Sequence, residues 1–188
     1  MRIAIVGLMS AFVLAAAAPS PRPSAASMAR AIEQAEALIA KGIDDARAEL
    51  APDAPKLVRN GELDRIARLR SEAMAKGLEP FAHEDSKGNP AATDMMRDRI
   101  SPYGAFGENI MFEYHSDAAF DPKSFANTAV KGWLESPGHR ANILSADFDR
   151  SGIGVAIRGG YAYATQVFMG PARVAPRPAR RPTPYDPQ

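Results

Sequence analysis

The chain has 188 residues, 46% of them hydrophobic and 24% charged, which suits one domain with an ordinary core and leaves no room for a second of equal size. Its formal net charge of +1 provides no overall field that would attract nucleic acid, so we expect no nucleic-acid partner. The chain contains no cysteine, which excludes disulfides, a thiol nucleophile and cysteine-ligated metal sites.

The N-terminal segment predicts a secretory signal peptide over residues 1–26. A basic start is followed by an apolar run from Ile3 to Ala18, which is too short to span a bilayer comfortably. Small residues and prolines come next, and they favour cleavage after Ala17 or Ala26. We therefore expect a secreted or periplasmic protein without a membrane span in its mature form; an uncleaved N-terminal anchor is the alternative.

Hydrophobic periodicity predicts two amphipathic helices at the start of a domain that we place at residues 27–170. Apolar residues at three- and four-residue steps predict a first helix from Ser27 that ends before Pro52. A second helix is expected to begin after the N-cap Asn60 and to end at Gly77. Its predicted buried residues are Leu63, Ile66, Ala67, Ala73 and Met74.

The middle of the chain predicts a short helix, a strand and a third long helix. Thr93 is the expected cap of the short helix, which would run to Ile100. Alternation from Phe106 to Glu113 predicts a strand that carries Glu108 on the same face as apolar side chains. A third long helix is expected from the N-cap Asp121 through Pro122 to Glu135.

The last third of the chain predicts a helical turn, a hairpin and a disordered tail. Ser136 and Pro137 are typical of a helix start, and the turn that follows carries His139. Two alternating runs between Gly152 and Met169 predict a β-hairpin around a Gly-Gly turn. Residues 171–188 are rich in proline and arginine with little to bury, so we expect a disordered tail there.

Three residues stand out as a candidate metal site: His83, Glu108 and His139. The chain has only three histidines, and two of these lie in turns marked by glycine or proline, beside carboxylates. Imidazole and carboxylate are the ordinary Zn²⁺ ligands where cysteine is absent, so we expect Zn²⁺ or another divalent cation. Glu108 could ligate directly or orient an imidazole. In the simpler alternative, His83 caps a turn, Glu108 is a half-buried carboxylate with satisfied hydrogen bonds, and His139 packs on Trp133. His115 lies in a polar segment, and we expect it to be a solvated loop residue.

Several strings of the sequence occur together in a known family. They are a His-x-Asp beside Ser-Lys-Gly, then Gly-Glu-Asn-Ile, then Trp-Leu-Glu-Ser-Pro-Gly-His-Arg-Ala-Asn-Ile-Leu, and finally Gly-Ile-Gly-Val-Ala. From Met28 to Gly170 the chain resembles the bacterial SCP-like branch of the CAP superfamily, which comprises cysteine-rich secretory proteins, antigen 5 and pathogenesis-related-1 proteins. The resemblance implies an α+β fold, a three-layer α-β-α sandwich around an antiparallel sheet, with a cleft of two His and two Glu that binds a divalent ion in some members.

Carried across by motif, His83, Glu108 and His139 match three of the four cleft positions. Glu135 lies in the segment of the fourth, Asp85 is an alternative neighbour of His83, and Asn109 is expected to brace the cleft. We expect a monomeric binding module outside the cytoplasm. One alternative is a metal-dependent, peptidase-like hydrolase with Glu108 as general base, and another is a protein that holds a small molecule, lipid or envelope polymer.

Overall fold

A computed structural model of the protein describes residues 23–92, 95, 99–100, 104–115 and 120–171. The predicted signal peptide lies outside this part except for residues 23–26, and the predicted tail lies outside it except for Pro171. The predicted helix cap Thr93 also falls outside the described residues, although Ala92 and Met95 beside it have helical backbone. In the described ranges no helix has both the length and the apolar character needed to cross a membrane.

The predicted long helices and long strands are confirmed, with ends that differ by a few residues. The elements are α1 (Ala25–Leu50), β1 (Val58–Arg59), α2 (Gly61–Ala75), β2 (Phe106–Tyr114), α3 (Pro122–Glu135), α4 (Pro137–Leu144), β3 (Arg150–Arg158) and β4 (Tyr161–Met169). Asn60 and Asp121 cap α2 and α3 as predicted, because their side chains accept hydrogen bonds from first-turn amides. The first helix begins before the predicted Ser27, after the N-cap Ser24.

The four strands form one sheet in the order β1-β3-β4-β2. The three long strands are antiparallel as expected, and β3 and β4 form the predicted hairpin. Gly159 and Gly160 make its turn with φ angles of 59° and 80°, the left-handed region that a tight two-residue turn requires. The sheet as a whole is mixed, since β1 pairs parallel to β3. We did not predict β1, because two residues are too few to show alternation.

Helices cover both faces of the sheet, which gives the three layers expected from the resemblance. One face packs on α2 through a cluster that includes Leu63, Ile66 and Val167. The other packs on α1, α3 and α4 through the larger cluster, in which Trp133 and Phe168 are buried. Because successive strand residues alternate between faces, each core residue of β4 belongs to one cluster only.

Two carboxylates cover the outer edge of β3 beyond the short β1. The backbone amide of Ile153 donates to Asp64 Oδ1 at 2.9 Å, and that of Val155 donates to Glu36 Oε1 at 3.1 Å. Glu36 is 2% exposed and also accepts from Arg68 Nε at 2.8 Å. These side chains satisfy edge amides that would otherwise be available to another strand.

Candidate functional site

A cavity of about 500 Å³ opens where the β2 edge of the sheet meets α4 and the loop after α2. Its wall contains His83 from the loop, Glu108 from β2 and His139 from α4. The other residues that line it are Pro90, Ala92, Phe106, Gly107, Ser136, Gly138 and Asn142. The fold thus brings together three side chains that are far apart in the sequence.

Two side chains, Arg70 and His83, hold Glu108 at the inner end of this cavity. Glu108 is 7% exposed; its Oε2 lies 2.8 Å from His83 Nδ1 and its Oε1 accepts from Arg70 Nε at 3.1 Å. Arg70 is fully buried on α2, and its Nη2 donates to the carbonyl oxygen of Ala82 at 2.7 Å. The sequence reasoning missed Arg70, although it occupies a position of the α2 apolar stripe, three residues after Ala67.

The two histidines of the cavity experience opposite electrostatic effects. The hydrogen bond to Glu108 raises the pKa of His83 above its ordinary value, and partial burial opposes this rise. Burial lowers the pKa of His139, and the nearby charge of His83 lowers it further. The ring centres lie 5.7 Å apart with an angle of 66° between the planes. At neutral pH the neutral imidazole, which is the form that binds metals, is therefore favoured at His139.

Two asparagines join α4 to β2 behind the histidines. Asn109, which is fully buried, donates from Nδ2 to the carbonyl oxygen of His139 at 3.2 Å. Asn142 donates from Nδ2 to the Glu108 carbonyl at 3.1 Å and to Asn109 Oδ1 at 2.9 Å. These hydrogen bonds fix the backbone positions of Glu108 and His139 relative to each other.

The other predicted site residues have different surroundings. Asp85 accepts from the amides of Lys87 and Asn89 at 2.8 Å each, so it closes its own turn, and these bonds lower its pKa. Glu135 is exposed and lies 3.8 Å from Lys131 of the same helix. Neither side chain is part of the cavity wall.

Two expectations about neighbouring residues need correction. Ser136 occupies the N-cap position of α4 as predicted, but its side chain makes no capping hydrogen bond and instead lines the cavity. The prediction that His115 is solvated is wrong: its side chain is only 10% exposed. It packs edge-on against Phe120 and Phe125, with ring centres 5.3 Å and 5.6 Å away, because the start of α3 covers the end of β2.

The two imidazoles of the cavity have a separation that suits a shared ion. An imidazole that ligates Zn²⁺ at about 2.1 Å has its ring centre about 3.2 Å from the ion, so two such rings lie about 5 to 6 Å apart. The observed 5.7 Å between His83 and His139 falls in this range. Within the described ranges no group of three or more His, Cys, Asp or Glu is arranged to hold a metal. The residues present thus offer two imidazoles, with Glu108 behind one of them.

The structure shows a three-layer domain with a His/Glu cavity, and comparison with known sequences shows the family to which the chain belongs. The model of the cysteine-rich secretory protein family, CAP, matches residues 42–168. This covers more than half of the chain, which therefore belongs to the CAP family. It does so without any cysteine, so the fold here depends on packing and on polar side-chain contacts.

The chain is similar to bacterial proteins in both sequence and structure. It is 33% identical over 109 residues to the uncharacterized protein YkwD of Bacillus subtilis, a match that spans 57% of this chain and 37% of that protein. An extracellular SCP-domain protein of Bacillus anthracis superposes with a TM-score of 0.60 at 22% identity, over 80% of this chain and 45% of the other. An outer surface protein of Borrelia burgdorferi gives a TM-score of 0.60 at 16% identity, over 74% and 93%. These two structures show the shared fold.

Proposed function

We propose that this CAP domain is an extracytoplasmic binding module. Its cavity binds a divalent cation, with Zn²⁺ as the first candidate, through the imidazoles of His83 and His139. One observation carries the proposal: two histidine rings 5.7 Å apart line the same cavity, and a buried carboxylate holds one of them from behind. Two imidazoles form a partial ligand set, so solvent or a bound molecule would complete the coordination.

The surroundings of His83 support its role as a ligand. In its neutral form, a ring that donates from Nδ1 to Glu108 keeps the lone pair of Nε2 for a metal. A carboxylate behind a ligating histidine fixes the tautomer and increases the basicity of the imidazole. Because Glu108 already accepts from both Arg70 and His83, we assign it this supporting role rather than direct ligation.

Calorimetric titration of Zn²⁺ into the protein, produced without a histidine tag, tests the proposal. We expect saturable binding that is lost in the His83→Ala/His139→Ala variant. His115→Gln is the matched control, because it removes the only other histidine of the chain and leaves the cavity wall intact. If the double variant binds Zn²⁺ as the wild type does, the proposal is wrong.

The hydrolase alternative makes a different prediction. It requires Glu108 to take a proton from a water molecule, but one of its oxygens already accepts a hydrogen bond from Arg70 and the other from His83. We therefore expect no zinc-dependent cleavage of a peptide library. Cleavage that Glu108→Gln abolishes while the fold is retained would favour the enzyme over the binding module.

The extracytoplasmic location is supported by the predicted signal peptide and by two structural relatives, one an extracellular and the other an outer surface protein. Cell fractionation followed by N-terminal sequencing of the mature protein tests it. We expect a new N-terminus after Ala17 or Ala26. A cytoplasmic protein that keeps Met1 would contradict this part of the proposal.

A further inference from the structure

Arg70 is a buried cation that binds Glu108 from outside the cavity wall, and the family motifs quoted above do not include it. Its side chain is 0% exposed, and the side chain of Glu108 is 4% exposed. A charged pair removed from water in this way contributes little net stability, because desolvation offsets the attraction. The role of Arg70 is instead to fix positions, and its hydrogen bonds show which groups it fixes.

The guanidinium of Arg70 joins the carboxylate to the loop that carries His83. Nε donates to Glu108 on β2, while Nη2 donates to the carbonyl oxygen of Ala82, the residue before His83. The planar guanidinium holds its donors in a fixed geometry, so both contacts constrain the distance between loop and strand. The carbonyl of His83 itself is also fixed, because it accepts a hydrogen bond from the backbone amide of Ala91 at 3.1 Å.

We propose that Arg70 is the positioning residue of the cavity: by binding Glu108 and the Ala82 carbonyl together, it sets the orientation in which His83 donates from Nδ1 and presents Nε2 to the cavity. Without Arg70, Glu108 loses one partner and becomes free to rotate, and the Ala82 carbonyl beside His83 loses its hydrogen bond from α2. The His83 ring then has no single preferred orientation. The inference rests on the proposed function only for its metal-binding readout.

Nitrogen NMR of the metal-free protein tests the tautomer directly. Ring nitrogens with and without a proton have distinct shifts, and the three histidines of the chain can be assigned by single substitution. At about pH 9, well above the ordinary pKa of an imidazole, we expect His83 to be protonated at Nδ1 in the wild type and to shift towards the Nε2 tautomer in Arg70→Met. A wild-type His83 protonated mainly at Nε2 would overturn the inference, whether or not any variant folds.

Zn²⁺ titration of the same variants provides the second readout. We expect Arg70→Met to weaken binding by about 10- to 100-fold, as is usual when a group that orients a ligand is lost. Arg47→Met is the matched control, because Arg47 is also buried, at 4% exposure, and binds the carbonyls of Ile143, Ser145 and Phe148 instead of Glu108. It should lower stability and leave both the tautomer and the affinity unchanged.

The outcomes separate this inference from the proposed function. A folded Arg70→Met protein with the wild-type tautomer and affinity overturns the inference, and so does an equal loss of affinity in Arg47→Met. Full affinity in Arg70→Lys also overturns it, because lysine supplies the charge but not the two fixed contacts. If the wild type binds no Zn²⁺ while Arg70→Met still changes the His83 tautomer, the proposed function fails and the positioning role stands.

Discussion

Substitution of Gly154 by alanine should test how closely α2 must approach the sheet to form the site. A Cβ at Gly154 would lie 2.0 Å from the backbone nitrogen of Arg68 and 2.3 Å from the carbonyl carbon of Ala67. This is more than 1 Å closer than the distance of about 3.5 Å at which such atoms normally touch. Because the obstacle is helix backbone, a rotamer change cannot relieve it, and α2 must move away from β3.

We expect Gly154→Ala to lower the free energy of unfolding by about 3 kcal/mol or more, the upper range for overpacking. For a domain of this size 1 kcal/mol corresponds to about 2–4 °C, so Tm should fall by roughly 6–12 °C in differential scanning calorimetry. Gly132→Ala is the control: Gly132 lies on α3, and apart from its chain neighbours and its own helix backbone no atom lies within 4 Å of the added Cβ. This substitution should stabilise the helix by up to about 1 kcal/mol. A Tm for Gly154→Ala within about 2 °C of the wild type would refute the close-packing argument.

The remaining predictions concern pH and the sheet edge. Because the pKa of His83 is raised in the folded state, its contribution to stability is fully present below the unfolded pKa and is lost as pH rises through the folded pKa. Denaturant titration of the metal-free wild type should show this loss, and His83→Gln should not show it. On acidification, Zn²⁺ affinity should therefore begin to fall while the pH is still above about 6.5. A fall that starts only below that pH would contradict the role of His83 as a ligand. Glu36→Ala removes the partner of the Val155 amide and of Arg68, and it should lower the free energy of unfolding by about 1–3 kcal/mol. The control Glu33→Ala, at an exposed position, should change this free energy by less than about 0.5 kcal/mol. Equal effects of the two substitutions would contradict the edge-capping role of Glu36.

Local patterns were sufficient to predict most of the secondary structure. Asn60 and Asp121 are strong caps at the start of apolar periodicity, and the Gly-Gly turn is specific for a hairpin. Each of these signals depends on residues a few positions apart. The two-residue β1 and its parallel pairing depend on tertiary contact with β3, so no local pattern could reveal them.

The histidines and Glu108 could be selected from their residue types and motifs, but their partners could not. Arg70 and Glu108 are separated by 38 positions, and the hydrogen bond between them requires both α2 and β2 to be in place. His115 was misread because its polar sequence neighbours gave no indication of Phe120 and Phe125, which cover it. Burial of a turn residue is decided by which helix packs over it, and this information is non-local.

One sequence signal could have identified the three buried charges of α1 and α2: they occupy apolar-stripe positions of these helices. The buried residues of α1 are Ala35, Glu36, Ile39, Ile43, Ala46 and Arg47, and those of α2 are Leu63, Ile66, Ala67, Arg70, Ser71 and Met74. An ionisable residue in register with such a stripe must either bend out to solvent or find buried partners. In this chain all three find partners on other elements.

Those three buried charges connect parts of the fold that a chain without cysteine cannot join by disulfides. Glu36 binds the edge of β3, Arg47 binds carbonyls around the end of α4, and Arg70 joins β2 to the His83 loop. A buried ion pair such as Arg70–Glu108 can often be replaced by apolar residues of similar size without loss of stability, so its presence is better explained by the positions it specifies. On this reasoning the double variant Arg70→Met/Glu108→Leu should retain most of the stability of the fold, while the His83 ring should lose its fixed orientation. Such a result would show that these two residues set the geometry of the site and contribute little to the stability of the core.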